Sequence, residues 1–323
     1  MNVFVTGGAG YIGSVCVEEL LNAGHRVTVF DSLVEGHRSA VDSRAQFVRG
    51  DLLNRQQTLE ALHKSEAQEI IHFAAFALVG ESMQNPAKYF SNNVVGGLNL
   101  LDAAVATGIR KIVFSSTCAT YGPPEVVPMV ETIPQRPINP YGESKLMMEQ
   151  MLRWYREIHG LEFVGFRYFN ASGASQHFGE HHRVETHLIP NILKVALGQK
   201  SNVEIYGTDY PTPDGTCIRD YVHVQDLASA HIRALAPGIQ GFFNLGTGRG
   251  ASVREVIQAC EQVTGKRIAV VEKPRRPGDP PELVASPEKV KNLLQWTPKF
   301  PTLLPTVASA WEWHRGHPEG YPD

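Results

Sequence analysis

With 323 residues, a formal net charge of −3, 42% hydrophobic and 20% charged residues, the chain has the make-up of a water-soluble globular protein with one large or two fused domains. That balance leaves no basic footprint for nucleic acid or for an anionic membrane. No apolar run approaches the roughly 20 residues that span a bilayer.

In chain order, Met1-Asn2-Val3-Phe4-Val5 reads at once as a strand and lacks the basic-then-apolar layout of a signal peptide, so a cytoplasmic location is expected. Short β-branched runs predict strands at Val3–Thr6, Arg26–Phe30, Gln46–Val48, Glu69–Phe73, Lys111–Ser115 and Phe163–Arg167. Between them Ile12, Cys16 and Leu20 recur at helical spacing, as do Met147, Met151 and Tyr155. This alternation implies parallel strands with right-handed crossovers, hence an α/β fold with a Rossmann-type doubly wound sheet over residues 1–170. After Asn170 the pattern loosens and Gly, Pro and Asp punctuate Tyr206–Gly215 and Pro274–Pro281. Residues 171–323 read as a smaller α/β substrate domain. Within it, 221–248 regains helix-then-strand character (Asp226–Leu235, then Phe242–Leu245) and is expected to pack back on the main sheet.

The four cysteines, Cys16, Cys118, Cys217 and Cys260, are scattered and read as small buried hydrophobes. His177, His181, His182 and His187 cluster in sequence, but no i,i+4 pair flanks a glutamate and no cysteine joins them. No metal site is expected there.

The segment Thr6-Gly7-Gly8-Ala9-Gly10-Tyr11-Ile12-Gly13 follows the first strand and opens a helix. Glycines at 7, 10 and 13 permit a tight turn, close approach of a pyrophosphate to backbone N–H groups, and close helix–sheet packing. A glycine triplet alone is a weak signal, and the strand–turn–helix context strengthens it. Asp31 ends the second strand, 18 positions beyond Gly13. A carboxylate there accepts ribose hydroxyls and repels a 2′-phosphate, which favours NAD over NADP. Asp51, after the third strand, reads equally as an adenine contact or a helix N-cap.

The next motif is Asn139-Pro140-Tyr141-Gly142-Glu143-Ser144-Lys145. Asn139 suits an N-cap and Pro140 the first helical position, so Tyr141 and Lys145 fall one turn apart on one helix face. A tyrosine with its reference pKa of about 10 is a poor base near neutrality; an adjacent ammonium and a cationic nicotinamide would favour its phenolate. Upstream, Ser115-Ser116-Thr117-Cys118-Ala119-Thr120-Tyr121-Gly122 places hydroxyls at a strand's carboxyl end, which faces the ligand crevice of a doubly wound sheet. A strand-end hydroxyl, Tyr-x-x-x-Lys and a glycine-rich first turn together point to hydride transfer.

Through most of its length the sequence resembles the extended short-chain dehydrogenase/reductases and, within them, the UDP-glucose 4-epimerase family. The resemblance rests on Thr6–Ser14, Phe73–Ser82, Asn92–Gly97, Ser115–Gly122, Asn139–Met148, Arg167–Ala171, Glu185–Pro190, Gly207–Val224, Phe243–Gly248 and Arg275–Asp279. The glycine and Tyr-x-x-x-Lys motifs mark only the superfamily. The Thr-Asp-Tyr-Pro-Thr-Pro-Asp-Gly-Thr and Arg-Arg-x-Gly-Asp blocks are particular to the epimerases. The resemblance implies Tyr141 as base, Lys145 on the nicotinamide ribose, and Thr117 orienting the sugar C4 hydroxyl. It implies further cofactor contacts from Tyr11, Ile12, Leu52, Phe73, Ala74, Ala75, Asn92, Ser115 and Tyr168. For the UDP-sugar it implies Asn170 and His187, Leu188 and Tyr206 at the uracil, Arg219 and Arg276 on the diphosphate, and Asp279 on the uridine ribose. It also implies a homodimer built on Pro86–Thr107 and Pro140–His159. The implied reaction interconverts UDP-galactose and UDP-glucose, by transient C4 oxidation with bound NAD and return of hydride to the opposite face.

Two departures carry information. Ala77 stands where the family often has a basic residue near the cofactor, so weaker retention or another source of charge is expected. Leu283, at the family's gate on the N-acetyl side, is intermediate in size and leaves UDP-GlcNAc/GalNAc open, as the unresolved C6 contacts leave UDP-xylose/arabinose open. Sugar 4,6-dehydratases carry an Asp-Glu after the hydroxyl residue and UDP-glucuronate decarboxylases a glutamate. Cys118-Ala119 has neither.

Overall fold

The apolar runs of the first half form strands buried on both faces, as a helix-covered parallel sheet requires. The computed structural model describes residues 1–276 and 278–322; Pro277, in the punctuated 274–281 stretch, and residue 323, the last of the expected second domain, lie outside the described residues. The chain runs β1 (Asn2–Thr6), α1 (Tyr11–Asn22), β2 (Arg26–Asp31), β3 (Gln46–Arg49), α2 (Arg55–Ser65), β4 (Glu69–His72), α3 (Val79–Ser82), α4 (Pro86–Tyr89), α5 (Gly96–Thr107), β5 (Lys111–Thr117), α6 (Pro140–His159) and β6 (Glu162–Tyr168). It continues through β7 (Asn170–Ser172), α7 (Leu188–Ala196), β8 (Val203–Tyr206), β9 (Ile218–His223), α8 (Val224–Ala234), β10 (Gly241–Leu245), β11 (Gly250–Ser252), α9 (Val253–Thr264), β12 (Val270–Lys273), β13 (Glu282–Leu283), α10 (Glu288–Leu294) and α11 (Leu303–Gly316).

The main sheet is parallel in the order β10-β6-β5-β4-β1-β2-β3. The chain therefore winds outward from β1 in one direction and from β4 in the other, and the switch between them opens a crevice at the strands' carboxyl ends. Segment 221–248 supplies β10, which pairs with β6 (Phe243 opposite Phe166), and α8, which packs on α1. One face of the sheet buries Val15, Leu20, Leu227 and Phe243; the other buries Leu62, Leu100, Met148 and Leu152. A third core around Ile189, Ile192, Val256 and Trp311 holds α7, α9 and α11 together.

Two local departures from the sequence expectation bear on the site. β5 runs two residues beyond the predicted Ser115, because Ser116 and Thr117 pair with Arg167 and Tyr168 of β6. The stretch Pro86–Thr107, which the resemblance places at a dimer interface, is not one continuous α-helix: a π-helical turn, Phe90–Val95, lies between α4 and α5. Such turns often mark functional positions, and this one carries Asn93 inward.

Candidate active site

At the end of β1 the chain turns with Gly7 at φ +73°, and a Cβ there would lie 2.5 Å from the Ala74 nitrogen. A Cβ on Gly13 would stand 2.1 Å from the Gly7 carbonyl oxygen, so α1 packs tightly under the turn. Gly10 caps α1 without a side-chain hydrogen bond, which leaves the first-turn N–H groups to an anion. The Asp31 carboxylate accepts the Ala9 N–H at 3.0 Å and the Leu33 N–H at 2.8 Å, fixing it across the turn. Burial pushes its pKa up, and those two N–H groups pull it back.

Gly7, Gly10, Asp31, Asp51, Leu52, Phe73, Ala74, Ala75 and Asn92 line one cleft. A side-chain-free turn, free helix-end donors and a fixed acid in one cleft fit NAD. Asp51 is not a helix N-cap: Asn54 caps α2, and Asp51 accepts the Leu53 N–H at 2.9 Å. The side chains of Tyr11 and Ile12 point elsewhere. The Tyr11 hydroxyl donates to the Gly173 carbonyl at 2.6 Å, and Ile12 packs on the core.

Beyond the switch point, Asn139 accepts the Gly142 N–H at 2.8 Å and starts α6. Lys145 is buried and donates to the Ser115 carbonyl at 2.8 Å. Burial lowers its pKa to about 7, against the opposing charge of Glu149 one turn further on. Burial pushes the Tyr141 phenol up to about 12, with the Thr117 hydroxyl pulling the other way. The protein's own groups taken alone favour the phenol, because Lys145 is engaged by Ser115 and desolvation outweighs the local help; the expected phenolate also depends on the positive nicotinamide of bound NAD. The Ser115 hydroxyl bonds the Tyr168 hydroxyl. Ser115, Thr117, Tyr141, Lys145 and Tyr168 thus converge where β5, β6 and α6 meet.

Among the residues expected to hold a UDP-sugar, Leu188 opens α7, Tyr206 ends β8, and Asn170 begins β7 directly after the β6 end. Arg219 on β9 faces Leu283 of β13 in register and is ion-paired with Asp279. Arg276 lies over the Tyr206 ring at 3.9 Å. Burial pushes the Cys118 thiol up to about 12, and the Arg219 charge, close to the carboxyl end of β5, pulls it down.

Residues 3–246 match the NAD dependent epimerase/dehydratase family. The chain belongs to that family. It is 50% identical over 329 residues to the UDP-glucose 4-epimerase of Lacticaseibacillus casei, covering 100% of this chain and 99% of the relative. Its structure is similar to that of UDP-glucose 4-epimerase from Brucella ovis in complex with NAD (TM-score 0.93, 46% identity, 96% of this chain and 97% of that one). It is similar also to UDP-glucose 4-epimerase from Bifidobacterium longum in complex with NAD+ and UDP (TM-score 0.94, 36% identity, 99% of this chain and 100% of that one).

Members of this family are NAD-dependent enzymes, and the fold surrounds the expected residues with partners that sequence reasoning did not name. Asn93 donates to the Phe76 carbonyl at 3.1 Å and to the Ser144 hydroxyl at 3.0 Å, tying the cleft wall to α6. Its signal was only a neighbour of Asn92. Glu149 and Arg167 form a buried pair behind the catalytic face; their signals were position i+4 from Lys145 and the place before Tyr168. Near Ala77, the Lys88 ammonium of α4 stands 4.0 Å over the ring of Phe76, a cleft residue, and 2.6 Å from Glu81. His187 is held by carboxylates, its Nδ1 lying 3.0 Å from Glu180 and 2.8 Å from Glu185. Burial alone would lower its pKa, but Glu180 outweighs that and holds it at about 10. Helical spacing could not reveal this grouping, because the stretch is a loop.

Proposed function

We propose that this chain interconverts UDP-galactose and UDP-glucose by C4 epimerisation, with residues 1–170 and 221–248 holding NAD and 171–323 holding the UDP-sugar. The observation that carries this reading is the convergence of Thr117, Tyr141 and Lys145 beside the glycine cradle, followed by Cys118-Ala119 rather than by carboxylates. Without an acid there, elimination at C6 and decarboxylation lack their proton-transfer group. The identity to the Lacticaseibacillus casei enzyme along the whole chain supports the glucose/galactose pair.

In this reading the glycine turn and the α1 N-terminus hold the pyrophosphate, with Tyr11 and Ile12 contributing backbone N–H groups. Asp31 takes the adenosine ribose hydroxyls, while Asp51 and Leu52 border the adenine. Bound NAD supplies a cationic ring and the two-electron capacity to take hydride from C4 and return it. Tyr141 removes the C4 hydroxyl proton, Thr117 holds that oxygen in line, and Lys145 keeps positive charge beside the phenol. Asn170, His187, Leu188, Tyr206, Arg219, Arg276 and Asp279 would grip UDP while the 4-keto sugar turned its other face to the nicotinamide, with Tyr141 placed to return the proton to the C4 oxygen. Binding energy far from C4 thereby serves the reaction.

A homodimer belongs to the same proposal. Met147, Trp154 and Ile158 lie exposed on α6 and Leu98 on α5, and positions 147, 151, 154 and 158 form one helical stripe. Among the described residues no helix is long and apolar enough to cross a membrane; the free cysteines support a cytoplasmic location.

The test is incubation of purified protein with UDP-galactose, UDP-GalNAc and UDP-arabinose, with chromatographic separation of products. UDP-glucose is expected from the first. No C4 epimer from any substrate would overturn the reading.

A further inference from the structure

The loop before α7 repeats Glu-x-His: Glu180-His181-His182, then Glu185-Thr186-His187. Folding brings one donor atom from each of Glu180, His182, Glu185 and His187 within 4.8 Å of the others. Both carboxylates are buried, with side chains 5% and 4% exposed. His187 Nδ1 touches both of them, at 3.0 and 2.8 Å, and His182 Nε2 lies 3.3 Å from the same Glu180 oxygen. The geometry points to a divalent transition-metal site here, of the zinc type, with two imidazole and two carboxylate ligands.

Three arguments carry it. Imidazole and carboxylate are the donors that zinc-type ions take, usually four in a tetrahedron. Bonds of about 2.0–2.2 Å would set tetrahedral donors roughly 3.3–3.5 Å apart; the 2.8–3.3 Å contacts would open slightly and the wider pairs, up to 4.8 Å, would close by a side-chain adjustment. The charge also balances: two buried carboxylates call for two positive charges, which one divalent ion would provide by taking the place of the proton on His187 and leaving both rings neutral.

The surroundings are organised as ligand supports are. The His187 backbone N–H fixes Glu185 Oε1 at 2.7 Å, and the Tyr11 ring meets His182 edge-on at 6.2 Å. Buried His314 of α11, within electrostatic range of both glutamates, leaves Nε2 without a hydrogen-bond partner; a ligand or its water would satisfy it. The cluster joins the first turn of α1, under the cofactor cleft, to His187 at the start of α7. The ion would clamp the two nucleotide-holding parts together and take no part in hydride transfer.

The test uses full-length protein freed of metal with a chelator and titrated with ZnCl2 and, separately, CoCl2. One equivalent of zinc per chain is expected by calorimetry and by metal analysis after gel filtration. Cobalt should give the visible absorption of a four-coordinate nitrogen–oxygen site. His182→Gln should weaken binding by at least about ten-fold, and Glu180→Gln/His182→Gln should abolish it. Wild-type protein that binds neither ion, or binding unchanged in the double variant, would overturn the proposal. So would a cobalt–thiolate charge-transfer band, which would place the ion on a cysteine. If the variants do not fold, the wild-type cobalt spectrum decides alone.

Discussion

The Glu149 carboxylate receives both arms of the Arg167 guanidinium, at 2.9 and 2.6 Å, one helical turn beyond Lys145. Neither side chain reaches solvent, and the same carboxylate accepts from Ser116 at 2.6 Å and Gln135 at 2.9 Å. The pair sits directly behind the site: Ser116 precedes Thr117, and Arg167 precedes Tyr168. Breaking a buried pair strands a charge and costs about 3–5 kcal/mol, whereas replacing both members with apolar residues is often near neutral. Urea unfolding should therefore show Glu149→Gln and Arg167→Met each strongly destabilised, and Glu149→Leu/Arg167→Met more stable than either. Strict additivity in the double variant would mean the two do not act as a unit.

Lys145 makes stability depend on pH in a definite direction. Its folded pKa is near 7, whereas an unfolded lysine keeps its proton up to about 10.4. Between those values the unfolded chain binds more protons, so this group's contribution to stability rises with pH. From pH 7 to 9, wild type should gain on the order of 2 kcal/mol relative to Lys145→Met, which lacks the titration. Denaturant titrations at the two pH values measure this. An unchanged difference between the proteins would show that Lys145 titrates near its ordinary value.

Tyr141→Phe removes the hydroxyl and leaves the ring, which stands edge-on to Tyr89 at 6.4 Å. General acid–base groups contribute about 10²–10⁴-fold to rate, so turnover of UDP-galactose should fall by at least about 100-fold. UDP affinity, measured by calorimetry, should stay nearly unchanged, because the residues proposed to hold UDP lie on β7, α7, β8, β9 and the 276–279 loop rather than on α6. Retained turnover would remove Tyr141 from its role.

The sheet was legible in sequence because both-face burial leaves continuous apolar runs between glycine-marked turns; Val3–Thr6 and Phe163–Arg167 each fall within one residue of the strand seen. The site was legible where its chemistry is local, as in the glycine turn or Tyr141 with Lys145. It was obscure where partners meet through the fold. The Glu149–Arg167 pair spans 18 positions, and nothing in either local sequence names the other. The Phe90–Val95 π turn leaves no periodicity distinct from a helix. Spacing predicts the proximity of Tyr141 to Lys145 but says nothing about how strongly burial opposes ionisation of the phenol, which it pushes up to about 12.

Gly7→Ala tests the cradle. The substitution requires a left-handed backbone and a Cβ 2.5 Å from the Ala74 nitrogen, and the obstacle is backbone, which cannot rotate aside. Destabilisation of about 1–3 kcal/mol is expected from the conformation alone. Loss of the NAD that co-elutes with the protein on gel filtration, read by its ultraviolet absorbance, should accompany it. Gly24→Ala is the control: its φ is +81° but nothing lies within 4 Å of the added carbon, so backbone strain is shared and the clash is not. Equal loss of NAD in both variants would show that general strain, rather than the shape of the turn, governs retention.

The exposed stripe on α6 predicts its own disruption. Trp154 and Ile158 are 63% and 67% exposed, four residues apart on one helix face. Large apolar side chains on a contiguous surface are covered in assemblies, while a single surface substitution usually changes stability by no more than about 0.5 kcal/mol. Trp154→Glu/Ile158→Glu should therefore sediment as a monomer where wild type sediments as a dimer, with a melting temperature that falls only by what the interface contributed. Since Lys145 lies in the N-terminal half of the same helix, roughly two and a half to three and a half turns earlier, the monomer should keep its NAD but lose part of its turnover, through loosening of that half of α6. A dimer that survives both charges would move the interface elsewhere, and a monomeric wild type would remove it.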